Sequence, residues 1–505
     1  MSQSPQQTPA RRRAPIVVGI ALALVAGAIL VLVLVLPDSS PQSASPRPSA
    51  SASASPSTSP RAPTGDLATR MQEAVTLEGV MRHLDAFQRI AENNGGNRSA
   101  ATPGHEKSAA YVARVLRNAG YWVRFDQFDV TVYETNAPSV LQRRVPARTS
   151  FENSTDFTTF NYSPSGSVTA EVTPVAVTRG FDGLGGCPET AFAGFPSGDI
   201  ALVQAGPCTL TEQVLNAQSA GASAVLLMFT PQLADTSAGV PRATLADSGI
   251  GIPAVAISTD LGSKLGRPGT RVHLEVDGDI VERTTRNVIA EKRRRANDVV
   301  MVGAHLDSVV DGPGINDNGS GSASILEVAV ALAGAETRDG IRFAFWSAEE
   351  LGLVGSTHYV SELSDAEKSR ITAYLNFDMV ASPNYLRLVY GDNPGPVAQP
   401  AAIKNLFLDY FKERDLATDI IDLSGRSDHG PFEQAGIRVG GLFTGAEMIK
   451  SRADRRLFGG KAGRPADPCY HLVCDDIDNI SDESLDQLSD AIAFAVSTLA
   501  TSAKL

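Results

Sequence analysis

From residue 286 onward the chain alternates strand-like apolar runs with helical segments, and this alternation constrains the fold more than any other feature. The runs Asn287–Ala290, Val299–Ala304, Ile341–Trp346, Ala373–Phe377, Leu386–Tyr390 and Val439–Leu442 read as strands. Helices are predicted near Ser322–Ala333, Ser356–Leu363, Ala398–Lys412 and Ser484–Thr501. Alternation of this kind predicts an α/β fold with a mixed, mainly parallel sheet flanked by helices on both faces.

Upstream the texture differs. Residues 67–120 show apolar positions at helical spacing, with Pro103-Gly104 read as the break between two helices, and Trp122–Tyr133 alternates as a strand. Between about 138 and 285, short strands (Val172–Val177, Asp199–Gln204, Ala224–Phe229, Ala254–Ile257, Arg271–Val276) are spaced by Gly and Pro around one helix, Thr211–Ala220. This predicts a small β-rich domain inserted into a larger one.

The N-terminus points outside the cell. Arg11-Arg12-Arg13 precede an unbroken apolar stretch from Ile16 to Leu36. Roughly 20 apolar residues cross a bilayer, whereas a signal-peptide core has about 7–15. The length predicts a transmembrane anchor over 14–36 with 1–13 as a cytoplasmic tail. The alternative is a cleaved signal, with Ala50-Ser51-Ala52 as the cleavage site and a secreted product. Residues 37–66, dominated by Ser, Pro and Ala, read as a disordered stalk. The protein is thus expected on the extracellular side of the cell membrane. Its four cysteines fit that compartment, and sequence proximity pairs Cys187 with Cys208 and Cys469 with Cys474. A net charge of −12 argues against a nucleic-acid partner, and the Lys292–Arg295 run reads as a solvated loop.

Open α/β sheets gather ligand-binding residues beyond the carboxyl ends of their strands. At those ends stand His305 and Asp307, then Glu349 and Glu350, then Asp378; Asp317 precedes a helix, and His471 lies between two cysteines. Two histidines and several carboxylates form a hard nitrogen-and-oxygen set suited to zinc or another divalent first-row ion. Consecutive residues in extended backbone point to opposite sides. Glu350 is therefore read as a ligand and Glu349 as a base. Asp307 is placed to accept the second ring N–H of His305 and fix its tautomer. No H-E-x-x-H or G-x-S-x-G occurs, so a single-zinc helix protease and a serine-hydrolase elbow are unsupported. Asp475, Asp476 and Asp478 read as a solvated loop and helix cap, with a Ca2+ site as the alternative.

The segments "VVMVGAHLDSV", "GINDNGSGSASILEVA", "RFAFWSAEELGLVGSTHYV", "AYLNFDMV", "RSDHGPFEQAGIRVGGLFTGAE" and "PCYHLVCDDIDNI" resemble the M28 family of dizinc aminopeptidases, its secreted bacterial branch in particular. The resemblance implies a zinc-exopeptidase-like fold over 67–137 and 286–505 and hydrolysis of N-terminal residues from peptides or proteins. It also implies two Zn2+: His305 and Asp378 on one, Glu350 and His471 on the other, Asp317 bridging. Glu349 is implied as general base, Tyr470 as oxyanion partner and Arg426 as a substrate-positioning residue. Where the family often has Tyr after "RSD" this chain has His429, expected to be a pocket wall. The stretch "GCPETAFAGFPSGDIALVQAGPCTLTEQVLNAQSAGASAVLLMF" resembles a protease-associated (PA) domain, assigned to 138–285. The rival readings are a carboxypeptidase or glutaminyl-cyclase-like relative, and a metal-free receptor on the same fold.

Overall fold

The computed structural model describes residues 66–153, 155–177, 184–229, 240, 244–245, 249–292, 297–391 and 401–501. The apolar run Ile16–Leu36 lies outside them, as does the stalk up to residue 65. Among the described residues no helix is long and apolar enough to cross a membrane. Asp66 belongs to the fold: its carboxylate accepts from Thr69 N at 2.8 Å and caps the helix Leu67–Ala74.

The mainly parallel sheet is present. Strands Val299–His305, Gly340–Trp346, Ile371–Phe377 and Val439–Phe443 run parallel, with Val299–His305 between Gly340–Trp346 and Ile371–Phe377. Antiparallel partners Arg271–Glu291 and Leu388–Tyr390 close this part on either side. A short strand, Asp419–Ile421, was not legible because three partly or fully exposed residues, two of them apolar, are too few to show a pattern. One face is covered by the helices Leu77–Glu92, Pro103–Asn118, Gly321–Leu332, Ala402–Lys412 and Asp482–Thr501. The other face packs Trp346, Tyr359, Tyr374 and Phe432. Pro103-Gly104 does not separate two helices. It opens the second of them behind the cap Thr102, where proline loses no hydrogen bond.

The inserted region is joined to this sheet. Strands Trp122–Val145 and Arg271–Glu291 pair antiparallel along almost their whole length, so the predicted boundaries at 138 and 285 both fall inside strands. Arg271–Glu291 then pairs with Gly166–Val175, which leads into Ile200–Gln204, Ala224–Phe229 and Ala254–Ser258, all parallel. Hydrogen bonding is continuous across 14 strands.

Gly303 shows how tightly the central strand is packed. A Cβ there would lie 2.3 Å from Tyr374 Oη and 2.7 Å from Trp346 Nε1, which meet above it in a 2.8 Å hydrogen bond. Gly303→Ala is expected to break that bond and cost about 1–3 kcal/mol of overpacking, read as a lower midpoint in thermal unfolding.

Candidate metal centre

Parallel register brings the strand ends level: His305 pairs with Trp346, and Gly303 with Asn376. The chain leaving each strand therefore enters one space. Glu349 and Glu350 stand in a turn after Ala348, whose φ is 59°, so their divergence comes from that turn and not from extended backbone. Asp378 directly follows Phe377. Asp317 sits in the tight segment Ile315–Ser320 ahead of the helix Gly321–Leu332. His471 arrives on the loop closed by the Cys469–Cys474 disulfide. Gly312 lets the His305–Asp317 connection approach that loop, because a Cβ there would lie 2.3 Å from Leu472 O.

The sequence-predicted ligands converge. His305 Nε2 lies 3.2 Å from Asp317 Oδ1 and 3.3 Å from Asp378 Oδ1. His471 Nε2 lies 3.1 Å from both Asp317 Oδ2 and Glu350 Oε2. Asp317 thus turns one oxygen to each histidine. The donor atoms of His305, Asp317 and Asp378 lie within 4.8 Å of one another, and so do those of Asp317, Glu350 and His471. Glu349 stands further back, with Oε2 3.9 Å from His305 Nε2.

This donor set fits divalent cations. Glu350 Oε1 and Asp378 Oδ1 are buried without a hydrogen-bond partner, a costly state for a carboxylate oxygen unless a cation takes it. Burial pushes Glu349 and Glu350 upward, and the neighbouring carboxylates Asp378 and Asp317 add to it. Burial pulls His305 and His471 down, yet the facing carboxylates hold both well above the ordinary imidazole value. A field that favours positive charge at both His305 and His471 is one that attracts metal ions.

Supporting contacts differ from expectation at Asp307. The ring Nδ1 of His305 donates to the backbone carbonyl of Asp307 at 3.1 Å, while the Asp307 carboxylate is 3.7 Å away. That carboxylate accepts instead from Glu349 N at 3.2 Å and Glu350 N at 3.4 Å, so it braces the acidic turn. The carbonyl two residues along lies nearer the ring than the side chain can.

Three further residues were not legible in the sequence. Ser427 Oγ donates to Asp378 Oδ2 at 2.6 Å. Asp475, read as part of a surface acidic cluster, is buried; its two oxygens accept from Asn316 N at 2.9 Å and Asp317 N at 3.0 Å. Asp476 accepts from Asp478 N at 3.0 Å and caps a short turn. The Asp475 and Asp476 carboxylates thus serve separate contacts, one with the Asn316-Asp317 backbone and one with Asp478 N. The third is Arg98, which is fully buried and donates to the carbonyls of Leu306, Pro313 and Gly314. Burial pushes its guanidinium down to about 10, leaving it charged at neutral pH.

A cavity of about 140 Å³ opens onto the site, with Tyr390, Ile421, Phe443 and Met448 among its apolar lining. His429 is a wall residue, as expected: its ring lies 4.9 Å from that of Tyr390, and burial pushes it down to about 4. Arg426 reaches the cavity and is paired with Glu447 at 2.9 Å. Tyr470 stacks on His471 with centroids 3.8 Å apart. Both expected disulfides are formed.

Comparison with known proteins agrees with this geometry. The model of peptidase family M28 matches residues 287–496, and that of the PA domain matches 168–265. An aminopeptidase of Pseudomonas aeruginosa is 43% identical over 445 residues, covering 86% of this chain and 83% of its own. The probable lipoprotein aminopeptidase LpqL of Mycobacterium tuberculosis is 36% identical over 445 residues, covering 85% and 86%. Among solved structures, the aminopeptidase from Aneurinibacillus sp. strain AM-1 superimposes with a TM-score of 0.68 at 26% identity, covering 87% of this chain and 97% of that one. BSAP, a zinc aminopeptidase from Bacillus subtilis, gives 0.65 at 26% identity, covering 85% and 96%.

Arg98→Ala strips donors from three buried carbonyls between His305 and Asp317, at about 1–3 kcal/mol each. Thermal unfolding is expected to shift down by several degrees, with loss of bound metal on dialysis measured by elemental analysis.

Proposed function

The chain belongs to peptidase family M28 and is an aminopeptidase; from that premise we propose that it uses two zinc ions and Glu349 as general base to release N-terminal residues outside the cytoplasm. The observation that carries the two-ion reading is Asp317, whose two oxygens lie 3.2 and 3.1 Å from the metal-facing nitrogens of His305 and His471. His305 and Asp378 would hold one zinc, Glu350 and His471 the other, with Asp317 between them. Zinc bound there supplies Lewis acidity that polarises the scissile carbonyl and makes water a nucleophile near neutral pH.

The chain's own residues do the rest. Glu349 is not needed as a ligand and lies beside the site, where it takes a proton from the attacking water and returns it to the leaving amine. The Tyr470 hydroxyl donates to the developing oxyanion, its ring held by the stack on His471. Asp378 and Glu349 give the substrate's free α-amine an acidic surrounding, and Arg426 borders the same cavity. Export is supported by the two disulfides, which persist in oxidising compartments. Whether residues 14–36 anchor the chain or are cleaved, the catalytic part is proposed to act on the outer side of the membrane.

Glu349→Ala is expected to keep its full metal content by elemental analysis while kcat falls by about 10²–10⁴; loss of metal together with activity would make Glu349 a ligand instead. A peptide with a free N-terminus is expected to be cleaved, and its N-acetylated form to resist by at least about tenfold in kcat/KM, as measured by release of the first residue.

A further inference from the structure

Beside the 140 Å³ cavity lies a second one of about 600 Å³, and both include Glu350 and His471 in their linings. The larger is walled by Val132–Asn136 of the long strand and by Tyr162 and Thr244 of the inserted region, and is further lined by Val309, Val310 and Leu351. Hydrogen bonds hold the inserted wall in place. The Tyr162 hydroxyl donates to Thr131 O at 2.7 Å, and Leu245 N donates to Asn161 O at 3.0 Å. The rings of Tyr133 and Tyr162 stand 6.3 Å apart. Val310 leaves 51% of its surface exposed, an apolar area that an incoming ligand would cover.

An aminopeptidase centre must house two unequal pieces: one residue with a free amine, and the remainder of the peptide. The smaller cavity carries Glu349, Asp378 and an apolar end at Tyr390, Ile421 and Phe443, which suits the single residue. The remainder has to leave on the other side of the bridge, where Glu350 and His471 face the larger cavity. Its volume falls in the range of about 300–1,000 Å³ typical of ligand pockets.

We infer that the cleft between Val132–Asn136 and the Tyr162–Thr244 wall is the subsite for the leaving peptide, so that the PA region is part of the substrate site and the preferred substrates are oligopeptides with an apolar second residue. This rests on the aminopeptidase reading above, with the N-terminal residue in the smaller cavity. Tyr133, Tyr162 and Val310 supply the apolar surface that such a residue covers.

The test compares leucine amide with a pentapeptide carrying leucine first, phenylalanine second and alanine thereafter, using the zinc-loaded protein. The wild type is expected to favour the pentapeptide by about tenfold or more in kcat/KM. Tyr162→Ala and the exposed-site change Val310→Ser are each expected to lower the pentapeptide-to-amide ratio about fivefold, mainly through KM. Tyr162→Phe, which keeps the ring, should retain most of the ratio. A ratio near one in the wild type, or an equal fall on both substrates in the two variants, overturns the subsite. Failure of the wild type to cleave either substrate overturns the aminopeptidase reading instead.

Discussion

A carboxylate survives inside a protein only where donors or cations balance it, since an unpaired buried ion costs several kcal/mol. Around Asp317 this fold gathers Glu349, Glu350 and Asp378 at one sheet edge, with Asp307 and Asp475 buried behind them. The rest of the architecture follows from keeping that charge in place. Asp307 and Asp475 are each satisfied by two consecutive backbone N–H groups. Arg98 adds a fully buried positive charge whose field reaches Asp307 and Asp475. Glu350 Oε1 and Asp378 Oδ1, facing the site, are buried without a hydrogen-bond partner and so are available to a cation.

Arg98 also links chemistry to fold. It holds the connection between His305 and Asp317 through three carbonyls, and its guanidinium lies 5.1 Å over the Phe87 ring in the helical core. The candidate ligands therefore rest on the same packing that stabilises the sheet. The disulfide loop does this from the opposite direction. It closes five residues after Cys469, and it carries His471 in a left-handed conformation, φ 59°, against the Gly312 segment. The long ribbon of Trp122–Val145 and Arg271–Glu291 extends this rigidity outward, making the inserted region a continuation of the catalytic sheet.

The legible parts of the fold were those with a strong local signal. Val299–Ala304, Ile341–Trp346 and Ala373–Phe377 are almost wholly buried, and their apolar runs, interrupted only at Arg342 and Asn376, placed them within a residue or two. Asp419–Ile421 has half-exposed and exposed positions and could not be told from a loop. The helices Asp365–Arg370, His429–Gln434 and Arg452–Phe458 are too short for a helical period to emerge. The predicted boundaries at 138 and 285 fall within this ribbon, whose Pro138 and Gly278 look like turns when the partner strand is unknown.

The site divides in the same way. Residue type, strand-end position and motif order were enough to mark His305, Asp317, Glu350, Asp378 and His471 as candidate metal ligands, because metal chemistry demands particular donor atoms and those atoms are written in the sequence; the fold brings the same five together. Which atom supports which ligand was decided only by tertiary structure. Nothing local distinguishes Arg98 from a surface arginine, or Asp475 from its neighbours Asp476, half-buried, and Asp478, exposed. The same holds for the choice between the carbonyl and the carboxylate of Asp307 as the partner of His305. Those roles depend on the close approach of groups up to 216 residues apart in the chain, and only packing brings them together.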